Sequence, residues 1–331
     1  MHIPDNYLSP STCAVMAAAM VPVWTVSIRK VKKELPKEKL PQLGIGAAFS
    51  FLMMMFNVPV PGGTTAHAVG GTLIAVLLGP YAACISISTA LLLQALLFGD
   101  GGILAFGANC FNMAFVLPFA GYFIYRLIKE HVKTQRGEYL GAVISSYCGI
   151  NLAALCAAIE FGIQPLLFTN AAGQSLYCPY PLGISIPAML IPHLTFAGLA
   201  EVLFTVFIYS YIRKVSPGMV YEGGQKRTKP IFGLIAVLIC LSPLGLLATG
   251  SAWGEWGSDE IASVVSGGKT LGYVPAALKN GFNFSALLSD YSVHGLPEAA
   301  GYLISAVVGA ALLVIVFKIV GSFARDKARV F

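Results

Sequence analysis

Charged residues are scarce in this chain. Only 11% of its 331 residues are charged, whereas 56% are hydrophobic; soluble domains carry about 25% charged residues. The composition therefore excludes an ordinary soluble fold. Apolar runs of membrane-spanning length recur throughout the sequence, and they predict an all-α integral membrane protein. The basic residues behind the formal charge of +6 flank these runs, so we expect contact with the lipid bilayer and no nucleic-acid partner.

Several patterns that mark enzymes and other transporters are also absent. The seven cysteines form no CxxC pair, which argues against a disulfide framework. A membrane-embedded enzyme would have to use Glu160, Glu201 and His193, but the chain has neither a HExxH pattern nor a clustered carboxylate pair. The sequence shows no similar halves, which disfavours a secondary transporter.

One apparent nucleotide motif is incomplete. Residues 267–270 read G-G-K-T, like the end of a phosphate-binding loop, but Ser263 stands where that pattern needs a glycine. We therefore expect no nucleotide site in this chain. Any ATP-driven step would have to be supplied by a partner protein.

The apolar runs predict about seven spans in the first two thirds of the chain and two spans in the last third. The long run at 68–98 is predicted to cross twice, as a hairpin that turns at Gly79-Pro80. The predicted spans are approximately 8–28, 43–56, the two arms of 68–98, 110–128, 140–163, 184–212, 231–249 and 299–320.

The basic residues set the predicted orientation. In this arrangement only Lys269 and Lys279, of 21 Lys and Arg residues, lie on the outer side. The positive-inside rule therefore places the N-terminus outside and the C-terminus in the cytoplasm.

A composition shift divides the chain into domains. We predict a capture domain at 1–215, a basic cytoplasmic linker at 216–229 and a two-span domain at 230–331. The two-span domain carries an outer segment at 250–298.

The N-terminal sequence M-H-I-P-D-N-Y-L-S-P predicts a metal chelate. The α-amine of Met1, the amide nitrogen of His2 and its Nδ1 can close rings of about five and six atoms on one ion. Three nitrogens in a plane suit Ni(II) or Cu(II), with Co(II) close behind. The segment lacks a signal-peptide pattern, so we expect the free amine to survive.

The fourth ligand is predicted to be His67, which follows the irregular turn after span two and lies on the outer side with the N-terminus. Together these groups would give a square-planar N4 site. Asn57, Thr64 and Thr65 are candidates to orient the imidazoles by hydrogen bonds. His193 and His294 remain as competing ligands.

Three sequence blocks carry a resemblance to a known family. They are the N-terminal decapeptide, P-V-P-G-G-T-T-A-H-A-V-G-G and G-D-G-G-I-L-A-F-G-A-N-C-F-N-M. Over about residues 1–215 the chain resembles the CbiM/NikM family, the substrate-specific S components of energy-coupling-factor cobalt and nickel transporters. In that family the metal is held by the equivalents of Met1, His2 and His67. Asn6 stands where the family usually has glycine, and both residues tolerate left-handed backbone. Residues 231–320 are similar to the small two-span accessory (N) component.

The resemblance implies a transporter subunit in a prokaryotic plasma or inner membrane, rather than an enzyme. Its partners would be a transmembrane coupling (T) protein and two cytoplasmic ATPases. The substrate would be Ni(II) or Co(II), with nickel preferred by the ligand set, and no cofactor is expected. Cobalt uptake for cobalamin synthesis remains the alternative.

Overall fold

We analysed a computed structural model of the full chain, which describes residues 1–35, 40–60, 64–216, 229–248 and 250–323. Apart from its two end residues, the predicted linker 216–229 lies outside the described residues. The same holds for Pro61 to Gly63 of the irregular turn and for the basic tail after Phe323.

The described residues are mostly helical, and their helices pack against one another as a bundle. The α-helices are α1 Pro10–Glu34, α2 Leu40–Met55, α3 Gly71–Leu78, α4 Pro80–Leu93, α5 Phe106–Asn109, α6 Leu117–His131, α7 Gln135–Gly162, α8 Gln164–Leu167, α9 Leu182–Pro192, α10 Gly198–Val215, α11 Lys229–Leu241, α12 Ala276–Asn280 and α13 Glu298–Phe323. The strands are β1 Asn57–Val60, β2 Thr64–His67, β3 Val265–Ser266 and β4 Lys269–Thr270.

Seven of the described helical segments are long and apolar enough to span a membrane, and α2 is a shorter apolar helix of 16 residues. These helices confirm the prediction of an all-α, multi-pass membrane protein. The predicted hairpin at Gly79-Pro80 is also present, because Gly79, at φ 91°, ends α3 and precedes α4. The eight residues of α3 are all buried. This short segment is therefore surrounded by protein rather than by lipid.

Helix α1 is longer than predicted. Ser9 caps its N-terminus by accepting a hydrogen bond from the Thr12 N–H at 3.1 Å. The helix continues to Glu34 instead of ending near Ile28, because lysine and arginine are good helix formers. An ion pair between Lys30 and Glu34, at 3.3 Å, joins positions i and i+4 in its last turns.

Within the described residues, three π-helical segments interrupt the long helices: Gln94–Phe98 after α4, Cys110–Val116 before α6 and His193–Ala197 between α9 and α10. Such segments are rare and often accompany functional sites. The first two flank the loop 99–105 and α5. The third contacts β2, which pairs antiparallel with β1 so that Asn57 lies opposite His67.

Helix α13, near the C-terminus, packs against α2. A Cβ added at Gly309 would lie 2.3 Å from the Phe51 ring, and one at Gly44 would lie 3.0 Å from the backbone of α13. Two helices in lipid have little hydrophobic drive to associate, so close packing over small residues holds them together.

Replacing Gly309 by leucine should therefore separate α13 from α2 and lower the thermal unfolding midpoint, with an overpacking cost of about 1–3 kcal/mol. The control is Gly233→Leu on α11, where an added Cβ has no neighbour within 4 Å. Both changes exchange glycine for a good helix former, so equal midpoints in a thermal melt in detergent would contradict the packing argument.

Candidate metal centre

The N-terminal arm, residues 1–9, is embedded in the protein. Met1 and His2 are each 3% exposed, and Ile3 is fully buried. The Ile3 N–H donates to Asn109 Oδ1 at 2.8 Å, and Asn109 Nδ2 donates back to the Ile3 carbonyl at 3.0 Å. The Gly102 N–H also donates to that carbonyl, at 2.9 Å. These bonds fix the backbone immediately after His2.

A second contact holds the arm against the loop that follows Asp100. The two carboxylate oxygens of Asp5 accept the N–H groups of Ile103 and Leu104 at 3.0 and 2.8 Å. A Cβ at position 102 would lie 2.5 Å from the Asp5 nitrogen, so only glycine allows this close approach. The loop thus explains part of the glycine-rich motif at 99–102.

The segment 250–298 clamps the other side of the arm. Asn6 has a left-handed backbone, at φ 70°, a conformation that both asparagine and glycine tolerate. Its side-chain amide makes two hydrogen bonds to the backbone of Phe282, at 2.8 and 2.9 Å. The Tyr7 hydroxyl donates to the carbonyl of Trp256 at 2.8 Å. Both domains therefore position the N-terminus.

The arm brings His2 against His67. Their rings are stacked, with centroids 4.9 Å apart and an interplanar angle of 29°. His67 is 4% exposed, and its Nδ1 donates to the carbonyl of Ala68 at 3.1 Å. Since Nδ1 carries the proton, Nε2 of the neutral ring holds the lone pair. The Nε2 atoms of both rings are buried and have no hydrogen-bond partner.

Both rings line a cavity of about 330 Å³. Burial lowers the pKa of His67 well below its ordinary value, and the nearby Met1 amine and His2 lower it further. The ring is therefore neutral at physiological pH, which is the form that binds metals.

Asp100 is a neighbour of His2 that the sequence reasoning did not single out. Its Oδ1 lies 3.0 Å from His2 Nδ1, and its Oδ2 accepts hydrogen bonds from Tyr291 and, at 3.0 Å, from Gln94. Burial would raise the pKa of this carboxyl, but His2, the Tyr291 hydroxyl and His67 outweigh it and hold the pKa well below its usual range. Because the predicted chelate uses Nδ1, that nitrogen would have to exchange Asp100 for the metal.

Glu255 is the second unpredicted neighbour. Its Oε1 lies 3.7 Å from the amine of Met1, and burial raises its pKa, while the amine partly offsets that rise. Glu255 is 254 positions from Met1 in the chain and belongs to no local motif, so only the fold shows this contact. The signal for Asp100 was its place in the glycine-rich loop.

The other predicted residues fall into two groups. Asn57 and Thr65 line the cavity beside His67, whereas the Thr64 hydroxyl donates to the carbonyl of Ser251 at 3.1 Å. Of the competing ligands, His193 is buried with Nδ1 bonded to the Met189 carbonyl at 2.7 Å, and His294 is exposed.

Within the described ranges, no three His, Cys, Asp or Glu side chains form a cluster suited to a metal ion. The predicted donor set does not need one, because it combines two imidazoles with the amine and one amide nitrogen of the backbone. What the arrangement offers is therefore a nitrogen-rich cavity wall, with the carboxylates of Asp100 and Glu255 beside it.

Asn109→Ala should lower the affinity for Ni(II), measured by calorimetry, by about 10- to 100-fold, the range typical of residues that orient metal ligands. The reason is that Ile3 would lose both of its bonds to that side chain. Asn170→Ala is the control, since the bonds of Asn170 stay within the loop 170–174. Unchanged affinity in Asn109→Ala would show that the arm is held without this side chain.

Comparisons with known proteins agree with this architecture. Residues 2–219 match the family model CbiM, described as the cobalt uptake substrate-specific transmembrane region, and residues 227–326 match the PDGLE domain. The probable fused nickel transport protein LarMN of Lactiplantibacillus plantarum is 51% identical over 321 residues, which cover 96% of this chain and 97% of that protein. The fused nickel transport protein NikMN of Rhodobacter capsulatus is 47% identical over 330 residues and covers 95% of each chain.

A solved structure is also similar to this chain. The crystal structure of a transition metal transporter is 59% identical and superposes with a TM-score of 0.62; the match covers 65% of this chain and 93% of that one. The matched part has the length of the first domain. The chain therefore belongs to the CbiM family of substrate-specific transmembrane proteins, with a PDGLE domain fused after it.

Proposed function

We propose that this protein is the substrate-binding subunit of a nickel importer. The observation that carries the proposal is the stacked pair of His2 and His67, which share one cavity wall beside the buried amine of Met1. The fused relatives that match nearly the whole chain are named nickel transport proteins, which supports the same substrate here.

The proposed donor set has four nitrogens in a plane. The Met1 amine, the His2 amide nitrogen and His2 Nδ1 form the chelate, and His67 Nε2 completes it. A deprotonated amide favours Ni(II) in square-planar geometry. Binding would leave a net charge of about +1 on the site, and the carboxylate of Asp100 would balance this charge in the buried cavity.

Other polar residues act through the ligands. Asn57 and Thr65 border both imidazoles in the cavity, whereas the hydrogen bond that orients the ring of His67 goes to the carbonyl of Ala68. Thr64 acts less directly, because its bond to Ser251 fixes the C-terminal segment beside the hairpin. Glu255 attracts the cation and holds the amine until the metal replaces its proton.

The transport cycle needs partners and an orientation. We infer that the N-terminus and the segment 250–298 face the outside, that the C-terminus is cytoplasmic, and that the domains are 1–215 and 230–331, joined by the linker 216–229. A transmembrane coupling protein and two cytoplasmic ATPases would supply the energy, so this subunit itself would not hydrolyse ATP. The membrane would be the prokaryotic plasma or inner membrane.

Cobalt uptake for cobalamin synthesis is the second candidate, and the name of the matching family favours it. The same four nitrogens would hold Co(II). Competition between the two metals for the purified protein decides between them.

His67→Ala should weaken Ni(II) binding by more than about 100-fold, because loss of even an outer-shell partner costs about 10- to 100-fold. Calorimetry on folded, purified protein measures the change. His294→Ala is the control and should bind like the parent protein. Retained affinity in His67→Ala would remove His67 from the ligand set, and a large loss in His294→Ala would move the site to the C-terminal domain.

A further inference from the structure

Glu201 is a buried carboxylate that the proposed ligand set does not use. It lies in the continuous membrane-spanning segment Leu182–Val215 and is 0% exposed. An ionisable group at membrane depth is costly and faces protein or water when it is present. The contacts of Glu201 therefore indicate what it contributes.

The side chain of Glu201 contacts the segment just after His67. Oε2 accepts the N–H groups of Val69 at 2.8 Å and Gly70 at 2.9 Å. Gly70 has a left-handed backbone, at φ 73°, and α3 begins at the next residue. The carboxylate thus takes up the N–H groups of the two residues that precede α3, and it carries the charge that a helix N-terminus favours.

The same segment is held from the other side. The Ser50 hydroxyl, on α2, donates to the carbonyl of Val69 at 2.8 Å. The ring of His67 is in turn fixed on the carbonyl of Ala68 at 3.1 Å. Ala68 is the only residue between His67 and Val69, whose N–H donates to Glu201. A shift of the Val69 backbone would therefore also displace the imidazole of His67.

We propose that Glu201 is a positioning residue for the metal site: through Val69 and Gly70 it sets the place of His67, so that Nε2 faces the cavity shared with His2. The inference rests on the proposed function, in which His67 is a ligand. Glu201 does not touch the metal. It ties His67, which lies at the end of a two-stranded hairpin, to a rigid membrane-spanning helix.

The chain offers a matched control. Glu160, on α7, is also a buried carboxylate of a membrane-spanning helix, at 6% exposure. Its Oε2 accepts a hydrogen bond from Asn112 Nδ2 at 2.8 Å. If Glu201 served only the stability of the bundle, the loss of either carboxylate should affect the metal site alike.

The experiment compares Glu201→Ala, Glu201→Gln and Glu160→Ala in full-length protein. Ni(II) affinity is measured by calorimetry, thermal midpoints report folding, and X-ray absorption at the nickel edge counts the bound imidazoles. Glu201→Ala should lower the affinity by about 10- to 100-fold and reduce the imidazole count from two to one. Glu201→Gln keeps one acceptor oxygen and should restore both imidazoles with intermediate affinity. Glu160→Ala should keep parental affinity, whatever its thermal midpoint.

Two results would overturn the proposal: parental affinity with two imidazoles in Glu201→Ala, or an equal loss of affinity in Glu160→Ala. If Glu201→Ala does not fold, Glu201→Gln decides, since parental affinity in that variant would show that the carboxylate is not needed. A parent protein that binds no nickel, or binds it without two imidazoles, would instead refute the proposed function.

Discussion

The pair of hydrogen bonds between the Asn109 side chain and the Ile3 backbone is the contact on which the rest of the proposed site depends. The amide oxygen and nitrogen of Asn109 hold both the N–H and the carbonyl of Ile3, so the two residues before it have no freedom to fray. A chain terminus is normally mobile, and ordering it during binding would cost affinity. Here the ordering takes place during folding, and the amine and the His2 backbone are already in place for an ion.

The fixed position of the N-terminus also explains why side chains of the second domain lie at the site. A fixed N-terminus buries an amine, and a buried cation needs a carboxylate nearby. Glu255 of the C-terminal domain supplies one for Met1, and Asp100 lies beside Nδ1 of His2. Tyr291, also from the C-terminal domain, holds Asp100 in turn. The cavity wall is therefore shared between the domains, and neither builds it alone.

Much of the fold followed from the sequence, because apolar length and basic flanks are strong signals in a membrane protein. The hairpin at Gly79-Pro80 was predicted from those signals, and the pairing of the N-terminus with His67 was predicted from the chemistry of the chelate together with the predicted topology. Asp100 was seen only as part of a polar loop, and Glu255 was not seen at all. Both contacts arise because loops that are distant in sequence lie side by side in the fold. Neither the spacing of charges nor hydrophobic periodicity carries information about such contacts. Thr64 illustrates the same gap, since its neighbour His67 faces the cavity while its own hydroxyl bonds to Ser251.

The central claim is that the α-amine of Met1 is a metal ligand. The most direct measurement compares Ni(II) binding, by calorimetry and absorption spectroscopy, between protein with its native N-terminus and protein with one additional glycine before Met1. The added residue moves the amine out of the chelate but leaves both imidazoles in the chain. The account predicts tight binding with a square-planar spectrum only for the native form. Equal binding and equal spectra in the two forms would contradict it.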